Sequence, residues 1–317
     1  MKSMLPGLRE IEDAAARISG VASKTPLVES PALSKLTGRE VYLKLECFQP
    51  IKVFKIRGAY NKLSQTKASE VVAASSGNHG IAVAYSSRLL GKKCTVVVPE
   101  TAVREKVDAI AELGAEVVRA GRYSGEREAK AREIAKDSGA EFVHPFNDPD
   151  VIAGQGTCGL EIAEQLDEID SVLVPVGGGG LISGISTALK ALRPKIRVYG
   201  VEPQGAPKLT EALRAGRPVA VPSPASIADG LMPSSLGELT FEACSRNVDG
   251  AYTASEADIL NATRALARDA RIFAEPSGAA PLAPLLSGAS GSPGERVVLV
   301  VSGGNISRAL LAEILAR

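Results

Sequence analysis

The sequence predicts an α/β protein built on parallel sheets. Hydrophobic residues make up 45% of the 317 residues, whereas aromatic residues make up 4% and tryptophan is absent. Such a composition is typical of aliphatic strands packed under alanine-rich helices. Between residues 71 and 138, strand and helix patterns alternate regularly. Because parallel strands are joined by helical crossovers, this alternation indicates a parallel sheet with right-handed connections.

Charge and cysteine content argue against several classes of protein. The 37 Lys and Arg residues are balanced by 36 Asp and Glu residues, so a nucleic-acid partner is not expected. Apolar runs stay well below the roughly 20 residues that span a bilayer, and the N-terminus lacks a signal-peptide core. We therefore expect a soluble, cytoplasmic protein that binds no membrane. The four cysteines lack C-x-x-C spacing, so neither a disulfide framework nor zinc is expected.

The N-terminal elements are recognised by their periodicity. A helix is predicted over 8–18, an extended segment over 24–27 and a strand over 40–46. These elements form the scaffold that leads to the first candidate site.

Lys55 is a candidate nucleophile because it stands between Phe54 and Ile56. Apolar neighbours desolvate an ammonium group and lower its pKa, which leaves a free amine that can attack a carbonyl. A surface lysine that extends its amine into water is the alternative from local sequence.

A second candidate site follows the strand predicted over 71–74. That strand runs into the polar turn Ser75-Ser76-Gly77-Asn78-His79-Gly80 and a helix over 81–90. Hydroxyl and backbone N–H groups at a helix start bind anions, so the turn is a candidate site for a substrate carboxylate. A plain Ser or Asn helix cap is an equal alternative. The alternation then continues through elements at 93–99, 104–113, 115–118 and 124–138.

The pattern changes after residue 149, where a loop precedes a helix predicted over 159–165. We place the return from a second domain to the first at this change. The expected division is a small domain, 68–147, and a large domain formed by 1–67 and 148–317.

Four consecutive glycines, Gly177–Gly180, connect a buried strand to a helix predicted over 181–192. Without Cβ atoms this glycine loop can turn several N–H groups toward one point, and the helix adds its unpaired amides and the positive end of its dipole. Ile182 or Ser183 occupies the third glycine position of a dinucleotide motif, and Ile185 occupies the lysine position of a P-loop. The loop therefore predicts a phosphate site for a compact cofactor, with a flexible linker as the alternative.

The C-terminal part continues the α/β pattern. It has a strand over 198–202, a Pro-rich connection over 217–226, a helix over 256–267 and a last strand over 297–301.

Six motifs, taken together and in order, resemble one family. The chain is similar to fold-type II pyridoxal phosphate (PLP) enzymes, and among them to threonine/serine dehydratases and serine racemases. The motifs are Phe54-Lys55-Ile56-Arg57-Gly58-Ala59, Ser75-Ser76-Gly77-Asn78-His79-Gly80, Val151-Ile152-Ala153-Gly154-Gln155-Gly156-Thr157, the glycine loop, Glu275-Pro276 and Ser302-Gly303-Gly304-Asn305. The resemblance implies two open, twisted, mostly parallel sheets flanked by helices, as in a tryptophan synthase β-like fold, and a homodimer or homotetramer.

The same resemblance implies roles for individual residues around PLP. Lys55 matches the Schiff-base lysine, Phe54 packs on the cofactor ring and Asn78 binds the ring hydroxyl. Ser302 matches the residue that faces the pyridine nitrogen. The phosphate loop corresponds to Gly177, Gly178, Gly179, Gly180 and Leu181.

For the substrate, the resemblance implies that Lys55 removes the Cα proton and that Ser76 is an acid/base group on the opposite face. Arg127 matches an arginine that contacts the substrate region, which is compatible with a polar or acidic β-substituent. The substrate carboxylate is expected in the turn formed by Ser75, Ser76, Gly77, Asn78 and His79.

The chain also departs from serine racemase. Glu202 and Ala206 match two of its divalent-cation ligands, but Lys208 stands where a carboxylate is expected. Either an ammonium replaces the charge of the metal or the site is lost. Whether the protein binds a divalent cation is left open by the sequence. Phe146 stands where serine racemase has a polar residue, which favours elimination.

The resemblance implies a PLP-dependent dehydratase, or ammonia-lyase, that converts L-threonine or L-serine to a 2-oxo acid and ammonia. A serine or aspartate racemase is one alternative. A dehydratase of a bulkier or acidic analogue, such as phenylserine or 3-hydroxyaspartate, is another. A binding protein that kept the fold and lost the chemistry is disfavoured by the intact Lys55 and glycine loop.

Overall fold

The computed structural model describes residues 5–75, 77–102, 104–121, 124–288 and 293–316. The strands are β1 (Leu27–Glu29), β2 (Glu40–Lys44), β3 (Glu70–Ala74), β4 (Lys93–Val98), β5 (Glu116–Arg119), β6 (Glu141–Phe142), β7 (Ser171–Pro175), β8 (Arg197–Pro203), β9 (Gly250–Ala254) and β10 (Arg296–Val300). The α-helices are α1 (Leu8–Ile18), α2 (Pro31–Thr37), α3 (Lys55–Leu63), α4 (Asn78–Leu89), α5 (Arg104–Ala111), α6 (Ser124–Ser138), α7 (Pro149–Gln165), α8 (Gly180–Leu192), α9 (Lys208–Ala215), α10 (Glu238–Asn247), α11 (Glu256–Arg268), α12 (Pro276–Ala279), α13 (Ala283–Leu286) and α14 (Arg308–Ala316).

These strands form two sheets. One has six strands in the order β1-β2-β10-β7-β8-β9, in which β1 is antiparallel to β2 and the other pairs are parallel. The other has four parallel strands in the order β5-β4-β3-β6. The expected α/β class with two mostly parallel sheets is therefore confirmed. All four strands of the smaller sheet fall within 68–147, but the domain boundaries themselves stay a prediction.

Both sheets are covered by apolar side chains on each face. Two large clusters of buried aliphatic residues pack against the six-stranded sheet, and two more pack against the four-stranded sheet. β7 is buried along its whole length, as expected for a central parallel strand. The carboxyl ends of parallel strands are where ligands bind in open α/β sheets, and the glycine loop, Ser302 and Ser75 all follow such strand ends.

Helix α7 begins at Pro149, well before the start predicted at residue 159. The Asp148 side chain caps it by accepting hydrogen bonds from the amides of Asp150 (2.8 Å) and Val151 (3.2 Å). Gly154 allows α7 to pack closely on α3, because a Cβ there would lie 2.5 Å from the carbonyl oxygen of Arg57. The helix therefore carries a glycine for packing and not for a turn.

Among the helices of the described residues, none is both long and apolar enough to pass through a bilayer.

Candidate active site

Lys55 is the first residue of α3, and its side chain is partly buried. Its Nζ donates a hydrogen bond to the carbonyl oxygen of Pro145 at 2.8 Å. Burial lowers the pKa of Lys55 from 10.5 to about 8, and a helix N-terminus is itself unfavourable for a positive charge. No carboxylate of the described residues forms an ion pair with it. The desolvated amine that the sequence predicted is therefore present.

Arg57, two residues further along α3, has the opposite environment. Its guanidinium pairs with both oxygens of Glu46, at 2.7 and 2.8 Å, and with Glu161 at 2.6 Å. Burial opposes the ionisation of Glu46, but Arg57 outweighs it, so the pKa of Glu46 lies below its ordinary value. Lys44 adds a further ion pair to Glu161. This network fixes α3 against α7 and the strand β2.

The glycine loop lies between the buried end of β7 and the first turn of α8. Gly179 adopts a φ of +92°, a conformation that favours glycine. Among the described residues, no acceptor is within hydrogen-bond distance of the amides of Gly178, Gly179, Gly180 and Leu181. Buried amides that form no hydrogen bond at a helix N-terminus are suited to bind an anion, and the phosphate-binding role of this loop stays a prediction. Thr240 fixes the loop, since its hydroxyl donates to the carbonyl oxygen of Gly178 at 2.8 Å.

Phe146 lies directly against the glycine loop. A Cβ on Gly178 would be 2.2 Å from the Phe146 ring, and one on Gly180 would be 3.0 Å from the Phe146 Cβ. The ring also packs edge-on against His144, with 4.6 Å between ring centroids. Because Pro145 is the partner of Lys55, this short segment connects the anion site to the amine.

Ser302 lies beside the start of α3. The amide of Phe54 donates to the carbonyl oxygen of Ser302 at 3.0 Å, and Val53 pairs with Gly303. The Ser302 side chain is buried, and its hydroxyl makes no hydrogen bond to any residue in the described ranges. The centroid of the Phe54 ring is 5.2 Å from the Lys55 Nζ. Ser302 therefore brings an uncharged hydroxyl to the start of α3.

Asn78 begins α4 and joins the two sheets through a chain of side-chain hydrogen bonds. Its Nδ2 donates to Glu275 at 2.7 Å, and its Oδ1 accepts from Asn305 at 2.8 Å. Burial raises the pKa of Glu275 to about 7, helped by the charge of Asp229 and opposed by the hydrogen bond from Asn78. The Asn78 side chain is therefore held in one orientation.

The turn before α4 is compact. Ser75 accepts a hydrogen bond from the amide of Gly77 at 3.2 Å. His79 is buried and donates from Nε2 to the carbonyl oxygen of Val143 at 2.9 Å, and burial lowers its pKa to about 3. Its imidazole is therefore neutral and occupied, so a contribution to substrate binding falls to its backbone amide. Ser76 lies outside the described residues, and its acid/base role stays a prediction.

Arg127 lies in the first turn of α6, at the end of the four-stranded sheet. Its amide nitrogen is 3.6 Å from the position that a Cβ would take on Gly121. The side chain is partly buried, and burial lowers the pKa of its guanidinium. Its contact with a substrate stays a prediction.

The residues that resemble a divalent-cation site hold an ammonium instead. Lys208 is fully buried and donates to the carbonyl oxygens of Ala206 (2.8 Å) and Leu231 (3.0 Å). Glu202 lies 3.6 Å from the same nitrogen. Burial lowers the pKa of Lys208 to about 8, against the charge of Glu202. No cluster of three or more His, Cys, Asp or Glu ligands exists among the described residues. These residues do not fit a divalent ion.

Sequence reasoning assigned no role to the carbonyl of Pro145 or to the carboxylate of Glu275 and the amide of Asn305. Glu275 and Asn305 belong to motifs that carried the resemblance, so the motifs contained the signal. Their partner, Asn78, is distant in sequence, and the hydrogen bonds appear only once the sheets are placed together.

PLP fits the residues that surround Lys55. The unpartnered amides of the glycine loop suit its phosphate, and the free hydroxyl of Ser302 suits a pyridine nitrogen that stays unprotonated. The desolvated amine of Lys55 suits its aldehyde.

Comparisons with known proteins agree with this geometry. A family model described as "Pyridoxal-phosphate dependent enzyme" matches residues 18–303. The chain is 41% identical to an L-threonine ammonia-lyase of Thermotoga maritima, over 97% of this chain and 78% of the relative. It is 39% identical to a β-hydroxyaspartate dehydratase of Paracoccus denitrificans, over 95% of this chain and 97% of the relative. The solved structure of maize serine racemase superposes with a TM-score of 0.93 at 34% identity, covering 98% of this chain and 97% of the other.

Proposed function

Because the chain belongs to the family of pyridoxal-phosphate dependent enzymes, we propose that it is an ammonia-lyase that dehydrates β-hydroxy amino acids of the L-threonine and L-serine type. The products are a 2-oxo acid and ammonia. The observation that supports the proposal is the desolvated amine of Lys55, whose partner Pro145 is the neighbour of Phe146 at the glycine loop.

When bound, PLP supplies an aldehyde that reacts with amines and a ring that accepts electrons from the substrate Cα. The amides of Gly178, Gly179, Gly180 and Leu181 hold its phosphate, and Asn78 orients its ring hydroxyl. Lys55 takes up the Cα proton at Nζ, and its lowered pKa increases the fraction of unprotonated amine that is able to do so near neutral pH. The backbone at the start of α4 binds the substrate carboxylate.

Ser302 favours elimination over transamination. A hydroxyl carries no charge that would hold a proton on a pyridine nitrogen, so with Ser302 at this position a bound ring would withdraw electrons less strongly, and prompt loss of the β-hydroxyl would be favoured. Phe146 adds an apolar ring beside the glycine loop, where a charged β-substituent would be poorly solvated.

A dehydratase of 3-hydroxyaspartate is the second candidate. The similarity to the Paracoccus enzyme favours it, and Arg127 supplies a cation that would pair with a second carboxylate. A racemase is the third, because the similarity to maize serine racemase covers nearly the whole chain.

A substrate panel tests the proposal. The holoenzyme is incubated with L-threonine, L-serine, phenylserine and 3-hydroxyaspartate, and ammonia, 2-oxo acid and D-amino acid are measured together. We expect stoichiometric ammonia and 2-oxo acid with L-threonine or L-serine as the best substrate. Formation of D-serine as the main product would overturn the lyase proposal. A clear preference for 3-hydroxyaspartate would instead identify the protein as the second candidate, a 3-hydroxyaspartate dehydratase. Lys55→Ala protein is the matched control for uncatalysed release.

We also propose a cytoplasmic homodimer or homotetramer in which residues 68–147 close on the substrate. Light scattering on the purified holoenzyme tests the assembly, and a monomeric mass would contradict it. Protection of this segment from hydrogen exchange on addition of L-serine tests the closure.

A further inference from the structure

We infer that the ammonium of Lys208 is a built-in cation that replaces a divalent metal ion and holds the segment behind the glycine loop. The chain would then retain PLP without any metal. The inference depends on the PLP site and not on which amino acid is the substrate.

The contacts of the ammonium are those of a bound cation. It is fully buried, and two carbonyl oxygens accept hydrogen bonds from it, those of Ala206 at 2.8 Å and Leu231 at 3.0 Å. The carboxylate of Glu202 is the third oxygen, at 3.6 Å. Oxygen atoms from carbonyls and a carboxylate are also the ligands that hard cations take, and here the ammonium donates to the two carbonyls and attracts the carboxylate by its charge.

The charge balances without a metal. One ammonium beside one carboxylate leaves no net charge in the buried site, as a divalent ion beside two carboxylates would. A divalent ion added to Glu202 and Lys208 would instead leave an uncompensated positive charge in the interior, which is strongly unfavourable.

Glu202 already accepts three hydrogen bonds from its own surroundings. Its Oε2 accepts from the amide of Leu209 at 2.9 Å, while its Oε1 accepts from the amide and the hydroxyl of Thr210, both at 2.8 Å. These donors lie in the first turn of α9, so the carboxylate caps that helix from outside. A metal ion would have to displace these bonds.

The ammonium is connected to the cofactor site through one short segment, the 3₁₀ turn Asp229–Leu231. Lys208 holds this turn at the carbonyl oxygen of Leu231, and Ser277 holds it by accepting from the amide of Gly230 at 2.9 Å. The turn lies directly behind the glycine loop, because a Cβ on Gly177 would be 2.8 Å from the carbonyl oxygen of Gly230. Lys208 is therefore a positioning residue for the phosphate site.

The wild-type holoenzyme gives the first test. EDTA, Mg²⁺ and Mn²⁺ should each leave its thermal midpoint and its retention of PLP on dialysis unchanged, and electron paramagnetic resonance should detect no stoichiometric Mn²⁺. One tightly bound Mn²⁺ per chain, with a raised thermal midpoint, would overturn the inference.

Two variants give the second test. Lys208→Met should release PLP about tenfold more readily, and no metal should restore retention. Lys208→Asp should show the same loss in EDTA but bind one Mn²⁺ per chain and recover. Metal rescue of Lys208→Asp alone separates a cation site from a general packing defect.

Lys190→Met is the control, since Lys190 also contacts a carbonyl and a carboxylate but lies at the far end of α8. It should retain PLP as the wild type does. Unchanged retention in Lys208→Met, or a folded Lys208→Asp that binds no Mn²⁺, would overturn the inference. If neither variant folds, the wild-type experiment decides.

Discussion

Arg57 is fully buried and Lys55 is partly buried, and the surroundings of these two residues, separated by one position on α3, differ completely. Arg57 is paired with the carboxylates of Glu46 and Glu161, whereas among the described residues Lys55 has one carbonyl oxygen as its hydrogen-bond partner. The first arrangement keeps a charge stable in the interior, and the second lowers the pKa of an amine that has to react, which raises its unprotonated fraction. The ion pairs of Arg57 thus anchor α3, the same helix that carries the reactive amine of Lys55, which has no ion pair among the described residues.

The sharpest test of this difference removes the amine. Lys55→Ala should lower turnover by at least about 10⁴-fold, because the nucleophile and the proton acceptor are lost together. Steady-state ammonia release measures the effect. Circular dichroism should show an intact fold, and Lys24→Ala, which removes an exposed lysine, should keep full activity. Substantial turnover in Lys55→Ala would remove Lys55 from the chemistry.

Removing the other cation should act on stability instead. Arg57→Met should lower the free energy of unfolding by about 3–5 kcal/mol, because it leaves Glu46 buried and unpaired. Urea denaturation of the holoenzyme measures this.

Adding Glu46→Gln to Arg57→Met should recover part of the lost free energy of unfolding, because position 46 then carries no buried, unpaired carboxylate. Arg246→Met, which breaks an exposed pair with Glu242, should cost at most about 1 kcal/mol. Equal losses in Arg57→Met and Arg246→Met would contradict the proposed anchoring role.

A smaller effect of the opposite sign is expected for Lys55 in the apoenzyme. The pKa of Lys55 is about 8 in the folded protein and 10.5 for an ordinary, solvated lysine, as in the unfolded chain. Protonated Lys55 therefore destabilises the fold at pH below 8. This cost fades as the pH rises from 8 and is absent above 10.5. Lys55→Met should therefore stabilise the apoenzyme by about 2–3 kcal/mol at neutral pH, with the difference shrinking toward pH 10. Denaturant unfolding across this range measures it, and a difference that grows with pH would contradict it.

The smallest expected effect concerns the pH dependence of the reaction between the Lys55 amine and PLP. The rate at which the apoenzyme captures PLP should rise with pH and level off above a midpoint of about 8, because the free amine is the reactive form. Borohydride trapping followed by mass spectrometry measures the covalent product. A rate that keeps rising through pH 10 would indicate an ordinary, solvated lysine.

Local sequence was sufficient for features that depend on neighbours in the chain. The apolar residues beside Lys55 predicted its desolvation, and the run of glycines before α8 predicted the anion site. Features that depend on distant contacts were not accessible. The partners of Asn78 come from the ends of other strands, and the capping of α9 by Glu202 joins two elements whose distance the sequence does not give. The start of α7 predicted at residue 159 was too late, and the close packing of Gly154 on α3 is a further contact between distant parts of the chain.

The contact between Phe146 and Gly178 couples two positions that are distant in the chain. A side chain at 178 collides with the aromatic ring at 146, so each position limits what the other accepts. In a library randomised at both sites, we expect alanine or serine at 178 to survive selection chiefly in clones with a small residue at 146. The order of replacement therefore matters: a side chain at 178 is accommodated only after the ring at 146 has been shortened, whereas the reverse order creates the collision first.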